Sequence, residues 1–140
     1  MILLDTNVVS EPLRRHPNAH VVEWIDAQPL ETLFLSAVTV AELRAGVAML
    51  PAGKRRTALQ EGLEKRVLPM FAGRVRPFDL DCTAVWAELM AKGRAAGAAI
   101  SMADSLIAAI AVSNRFIVAT RDAAPFLAAG VDVINPWERE

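Results

Sequence analysis

Cysteine is nearly absent from this chain. Cys82 stands alone, which excludes an internal disulfide, and no cluster of Cys and His offers a soft metal site. Long apolar runs are also missing. Although 54% of the residues are hydrophobic, they recur in segments broken by charge, and none approaches the roughly 18 residues of a membrane span. The opening MILLDTNVVSEP puts an acid at position 5 and Pro12 shortly after it, in place of the basic start and long apolar stretch of an export signal. A cytoplasmic protein is expected. Neither charge sign is in excess: a net charge of -1 argues against a wholly basic nucleic-acid wrapper. Positive charge is instead concentrated locally, at Lys54, Arg55, Arg56, Lys65 and Arg66. No internal repeat or low-complexity segment is evident. The 140 residues suit one domain over 1–140, long enough to bury a core unaided by disulfides or a structural metal.

What is present is an alternation of short apolar runs with helical periodicity. Ile2-Leu3-Leu4 reads as a buried strand, and the short polar side chains of Thr6 and Asn7 mark a strand-to-helix transition with Asp5 at the strand end. A short helix is expected from about Ala19 to Asp26, then a second strand at Leu33-Phe34-Leu35 and a helix from about Thr39 with Val40, Leu43 and Val47 inward. The segment Lys54 to Val67 forms a helix between Pro51 and Pro69, with Leu59, Leu63 and Val67 on one side. Val75 to Phe78 is a brief extended piece, followed by a helix capped by Asp81 and ending near Gly93 and Gly97. Ser101 to Asn114 is the most apolar helix, with Met102, Leu106 and Ile110 at four-residue spacing. Phe116 to Ala119 is a buried strand, Ala123 to Ala129 a short helix, and Val131, Val133 and Ile134 a last strand. The pattern is α/β: three layers, a central mainly parallel β-sheet flanked by helices.

Four acids interrupt this pattern. Asp5 follows three apolar residues, so its carboxylate requires partners or a crevice at the strand end, where parallel sheets hold ligands. The plainer alternative is a helix cap that accepts from Asn7 and Val8. Glu42 stands three residues after Thr39, and Asp104 three after Ser101. Both have the spacing of a capping box, a structural reading that remains open beside a functional one. Asp104 also sits in an otherwise apolar helix, where a cation would compensate its charge. Carboxylates that converge repel one another and need a counter-charge, and all-oxygen donors suit Mg²⁺ or Mn²⁺. Such an ion lowers the pKa of a bound water and stabilises charge on a phosphodiester, which is nuclease chemistry. Arg14, Arg15, Lys54, Arg55 and Arg56 are candidate contacts to nucleic-acid phosphates, or equally a solvated basic face.

The stretches MILLDTNVVSEPLR, LSAVTVAELRAGV (Leu35 to Val47), Ala103-Asp104, VATRD (Val118 to Asp122) and INPW (Ile134 to Trp137) occur in the order found in the PIN-domain nucleases. More narrowly, the chain resembles the VapC and FitB toxins of bacterial toxin–antitoxin pairs, over essentially its whole length. That resemblance implies a Mg²⁺- or Mn²⁺-dependent endoribonuclease whose metal and catalytic carboxylates are Asp5, Glu42, Asp104 and Asp122, with Thr6 and Thr120 orienting ligands or water. It assigns Arg121 to a phosphate contact or an internal salt bridge. The implied partners are an RNA substrate, a second copy of the chain, and a cognate antitoxin with a ribbon-helix-helix DNA-binding region. The sequence departs from many relatives at one place, since Pro125 stands where they carry the last acid, leaving Asp122 as the local substitute. A catalytically silent module that joins the antitoxin in a DNA-binding complex is the alternative.

Overall fold

Hydrophobic side chains alternate in direction along the strands, and each direction has its own core. Leu3, Phe34 and Val118 pack with Ile107, Ile110 and Phe126. Leu4, Leu33, Leu35 and Ala119 pack with Val8, Leu43, Leu63 and Phe71. This is the two-residue period of extended chain, with both faces of the sheet covered.

A computed structural model describes residues 1–97 and 99–138. It arranges β1 (Ile2–Leu4), β2 (Leu33–Ser36), β3 (Val75–Arg76), β4 (Ile117–Ala119) and β5 (Val133–Ile134) as a five-stranded parallel sheet in the order β3-β2-β1-β4-β5. The helices are α1 (Thr6–Ser10), α2 (Ala19–Ala27), α3 (Ala37–Ala48), α4 (Lys54–Gly62), α5 (Leu68–Met70), α6 (Leu80–Ala95), α7 (Met102–Asn114) and α8 (Ala123–Ala128). The expected three-layer arrangement is therefore present. From β1 the chain steps outward to β2 and β3, then returns past β1 to β4 and β5. The strand order reverses between β1 and β4, and in such sheets the crevice beyond the carboxyl ends at that point is where ligands bind. Leu4 is in register with Ala119, and the Asp5 N–H donates to Ala119 O at 2.9 Å. Positions 5 and 120 are thereby the first residues past the two central strands.

Several local expectations are corrected. The helix after β2 begins at Ala37, not near Thr39, because Ser36 is the cap: its hydroxyl accepts from the Thr39 N–H at 2.9 Å. Thr39 is wholly buried inside the first turn, so Thr39 and Glu42 form no capping box. Ser101 does cap α7, accepting from the Asp104 N–H at 3.1 Å. At α6 the cap is Asp79, whose carboxylate accepts from the Cys82 N–H at 3.1 Å, and Asp81 lies in the first turn. Met102 is 62% exposed, because the buried face of α7 runs through Ser105 and Ile107 to Ala111.

The expected helix from Lys54 to Val67 changes pitch partway. Leu63–Val67 is a π-helical turn closed by the Leu68 N–H on Leu63 O, and the chain continues helically through Pro69. Proline has no N–H to donate and its ring crowds the carbonyl four residues back, so a wider turn before it relieves the conflict.

Because Ser36 both ends β2 and caps the helix that bears Glu42, Ser36→Ala should destabilise the fold by about 1 kcal/mol. Chemical denaturation with an unchanged m-value checks this, and an unaltered midpoint would remove the cap from the account.

Candidate active site

Asp5 is the only one of the four predicted acids that is buried; it is 4% exposed, whereas Asp104 is half-buried and Glu42 and Asp122 are exposed. It caps α1, but not through the expected Asn7 and Val8 amides. Its Oδ1 accepts from the Thr6 N–H at 2.8 Å, and its Oδ2 accepts from the Thr120 hydroxyl at 2.8 Å. The carboxylate is thus turned across the sheet toward the end of β4.

Thr120 is fully buried, and its hydroxyl is fully engaged. While donating to Asp5, it accepts from the Asn7 side-chain amide at 3.4 Å and from the Asp122 N–H at 3.1 Å. One hydroxyl therefore fixes the orientation of Asp5 and ties down the turn that carries Asp122. Thr6 has the corresponding role on the other side: its hydroxyl donates to Glu42 Oε1 at 2.7 Å and contacts Thr39 Oγ1 at 3.2 Å. The two threonines hold the acids directly, by hydroxyl bonds from the strand and helix ends.

The charges of Asp104 and Glu42 both reach Asp5. Burial is the largest influence on its carboxyl group and pushes the pKa from 3.8 up to about 6. The Thr120 and Thr6 hydrogen bonds oppose that rise, and the Asp104 and Glu42 charges add to it. None of the ion pairs among the described residues involves Asp5, Glu42, Asp104 or Asp122. The charges of Glu42 and Asp104 are felt at Asp5, and no basic side chain among the described residues pairs with any of the three. Among the described residues, however, no three such groups converge closely enough to grip one ion between them. An ion at Asp5 would therefore need waters for most of its shell. Mg²⁺ is typically held by one or two carboxylates and several waters, and the donors here are all hard oxygens.

Asp122 is the loosest of the set. Its backbone is anchored through Thr120, but its exposed side chain makes no capping bond to α8. Pro125 lies within α8, where it supplies no donor.

Asn7 is the residue that sequence reasoning undervalued. Its amide bridges from α1 to the end of β4, donating to Thr120 and accepting from the Arg121 N–H at 3.2 Å. An amide with one acceptor and two donor hydrogens, two residues from a buried acid, was the available signal.

The basic candidates differ in exposure and in partners. Arg14 is paired with buried Glu11 at 3.2 Å. Arg15, Lys54 and Arg55 are exposed, and Arg56 is half-buried. Arg121 makes no ion pair among the described residues; its guanidinium lies 5.2 Å from the Trp137 ring. Asn135 braces that turn, accepting from the Trp137 N–H at 3.0 Å and donating to Arg121 O at 3.4 Å.

The raised pKa of Asp5 fixes the sign of a pH effect. Stability from this group is fully present below pH 3.8 and is lost as pH rises through about 6. In chelator-treated buffer, the pH slope of unfolding over that window should be shallower in Asp5→Asn than in the native chain. The difference accumulated across it should be about 3 kcal/mol. Parallel slopes would show that burial does not disfavour the charge.

Comparison with known proteins places this arrangement. Residues 2–130 match the PIN domain family. The chain is 67% identical over 138 residues to the plasmid stability protein StbB of Pseudomonas syringae pv. tomato, covering 99% of both. It is 59% identical over 138 residues to the VapC ribonuclease Y4jK of Sinorhizobium fredii, again covering 99% of both. Its fold superposes on the crystal structure of FitAcB from Neisseria gonorrhoeae with a TM-score of 0.96 and 52% identity, covering 99% of this chain and 100% of the other. By sequence and by fold, the chain belongs to the PIN-domain family.

Proposed function

We propose that this protein is a divalent-metal-dependent endoribonuclease, the toxin of a type II toxin–antitoxin pair, working in the cytoplasm through one domain over residues 1–140. The observation that carries the reading is the Asp5 carboxylate, buried at the β1–β4 switch point beside Asp104 and Glu42 and balanced by no basic side chain among the described residues. The name of the VapC ribonuclease relative supports the same chemistry.

Asp5, Asp104, Glu42 and Asp122 are the residues that would hold Mg²⁺ or Mn²⁺, directly or through water. When bound, the ion supplies electrostatic stabilisation of the phosphodiester and a more acidic water. The chain's own residues do the positioning. Thr120 keeps one Asp5 oxygen turned toward β4, while the Thr6 N–H holds the other. The Thr6 hydroxyl holds Glu42 at the crevice, and the Ser101 cap fixes the first turn of α7, from which Asp104 projects. Exposed Arg15, Lys54 and Arg55 are available to phosphates, with Arg56 beside them.

A homodimer and an antitoxin with a ribbon-helix-helix DNA-binding region complete the proposal. No helix among the described residues is long and apolar enough to cross a membrane. The second reading is a silent module that binds an antitoxin through the same acids, and the separation of those acids favours it.

Cleavage of labelled RNA with Mg²⁺, with Mn²⁺ and with chelator decides between the two. Asp5→Asn and Asp104→Asn should stay folded and lose about a hundredfold or more in kcat, whereas full activity in both would sink the proposed carboxylate pocket, and no cleavage by the native chain with either ion would end the nuclease reading. Asp122→Asn should shift the metal titration to higher concentration by about tenfold, and coincident curves would remove Asp122 from the set. Replacing Lys54, Arg55 and Arg56 together by Gln should weaken RNA binding and flatten its salt dependence; an unchanged slope would assign that segment to solvent.

A further inference from the structure

Gly46 lies within α3, one turn beyond Glu42, and a Cβ built there meets nothing within 4 Å. Glycine weakens a helix relative to alanine, and here the folded chain has no packing need for its bareness. Gly46 also lines a groove of about 270 Å³ between α1, α3 and α4. Leu13, Val47, Leu50, Leu59 and Leu63 make its apolar wall, Thr6 and Glu42 stand at its acidic end, and Arg14 and Arg55 line it as well. The Arg14 guanidinium is held by buried Glu11, which accepts at 3.2 Å and also takes the Asn18 N–H at 3.0 Å. One arginine of this groove is therefore pre-oriented.

We propose that this groove is a base subsite, in which one unstacked nucleobase of single-stranded RNA lies over Gly46 while Arg14 and Arg55 take the flanking phosphates. The inference rests on the nuclease reading above and names the form of substrate that site accepts. Three features favour RNA as the occupant. The groove is continuous with the acidic crevice through Thr6 and Glu42. Its charge is complementary to a backbone, since Arg14 and Arg55 line it and Glu42 is the one carboxylate among its lining residues. Its wall is aliphatic, a surface against which the face of one unstacked base can lie, and unstacked bases are what proteins read in RNA. A bare backbone at Gly46 lets the ring approach the helix closely, and Glu11 acts as the positioning residue for Arg14.

The test uses the full chain and a short fluorescein-labelled single-stranded RNA in which each position in turn is made abasic. Binding is read by anisotropy with and without Mn²⁺, and cleavage is read in parallel. One abasic position should weaken binding by about fivefold to tenfold, the lower end of what a stacked base contributes, because the wall is aliphatic and not aromatic. Gly46→Leu, which projects into open space, should keep the native melting temperature and weaken intact RNA to the same degree, yet bind the RNA abasic at that position as the native chain does. Gly46→Ala should fall between. Glu11→Gln should weaken binding in proportion at every abasic substrate and lower its salt dependence. A flat abasic scan, or Gly46→Leu binding RNA as tightly as the native chain, would overturn the subsite. Loss of binding only to a protein partner in Gly46→Leu would overturn it too, in favour of that partner. RNA bound in the expected pattern but never cut would support the groove and remove the nuclease reading, whereas cutting with a flat scan would do the reverse.

Discussion

The hydrogen bond from the Thr120 hydroxyl to the Asp5 carboxylate joins the ends of the two strands at which the sheet reverses its order. Without it a 4% exposed carboxylate would be left with one backbone donor, and a buried charge without partners is among the costliest things a fold can contain. The hydroxyl has no slack, since it also accepts from Asn7 and from the Asp122 amide. It cannot accept a further proton donor from residue 5 without giving up one of these bonds. The network therefore matches an ionised Asp5, while burial opposes ionisation and dominates, bringing the pKa to about 6. A group held in its charged geometry and penalised for carrying the charge is poised for a cation.

The remaining acids differ in how firmly they are held, and the difference follows from the elements that bear them. Glu42 leaves the surface of α3 and is drawn to the crevice by Thr6 alone. Asp104 sits in the first turn of α7, with its amide fixed by Ser101. Asp122 hangs from a turn whose backbone is secured by Thr120, Asn7 and Asn135 but whose carboxylate is unconstrained. This gradient, from one buried acid to three looser ones, is consistent with the absence of a closed triple of ligands among the described residues. An ion retaining several waters tolerates such a shell, whereas one that sheds its waters would not.

The strands and their parallel order were legible because both faces of the sheet are buried, which leaves short unbroken apolar runs such as Leu3-Leu4 and Val118-Ala119. Asp5 was legible for the same reason: an acid closing such a run cannot be in the core and must be at its edge. The caps were harder. Ser36 and Thr39, or Asp79 and Asp81, are equivalent on local chemistry, and only the observed strand and helix ends decide between them. Met102 fitted a four-residue repeat with Leu106 and Ile110, of which Ile110 is the member fully buried in α7. The pitch change at Leu63 follows from Pro69 downstream, which the helical spacing of Leu59, Leu63 and Val67 does not register. The Asn7 bridge spans 113 positions to Thr120, a separation no local reading can cross. Arg121 carried a charge that suggested a phosphate contact or an internal salt bridge; within the described residues its guanidinium lies over the Trp137 ring and makes no ion pair.

If the buried Asp5 carboxylate is the seat of the ion, binding must compete with its proton. Calorimetric titration of the native chain with Mn²⁺ at about pH 5 and about pH 7, in buffers of different ionisation enthalpy, tests this most directly. The account predicts one ion bound at least about tenfold more tightly at the higher pH, with proton release near the Asp5 pKa of about 6. Affinity unchanged between the two pH values, or no binding at the higher one, would contradict it.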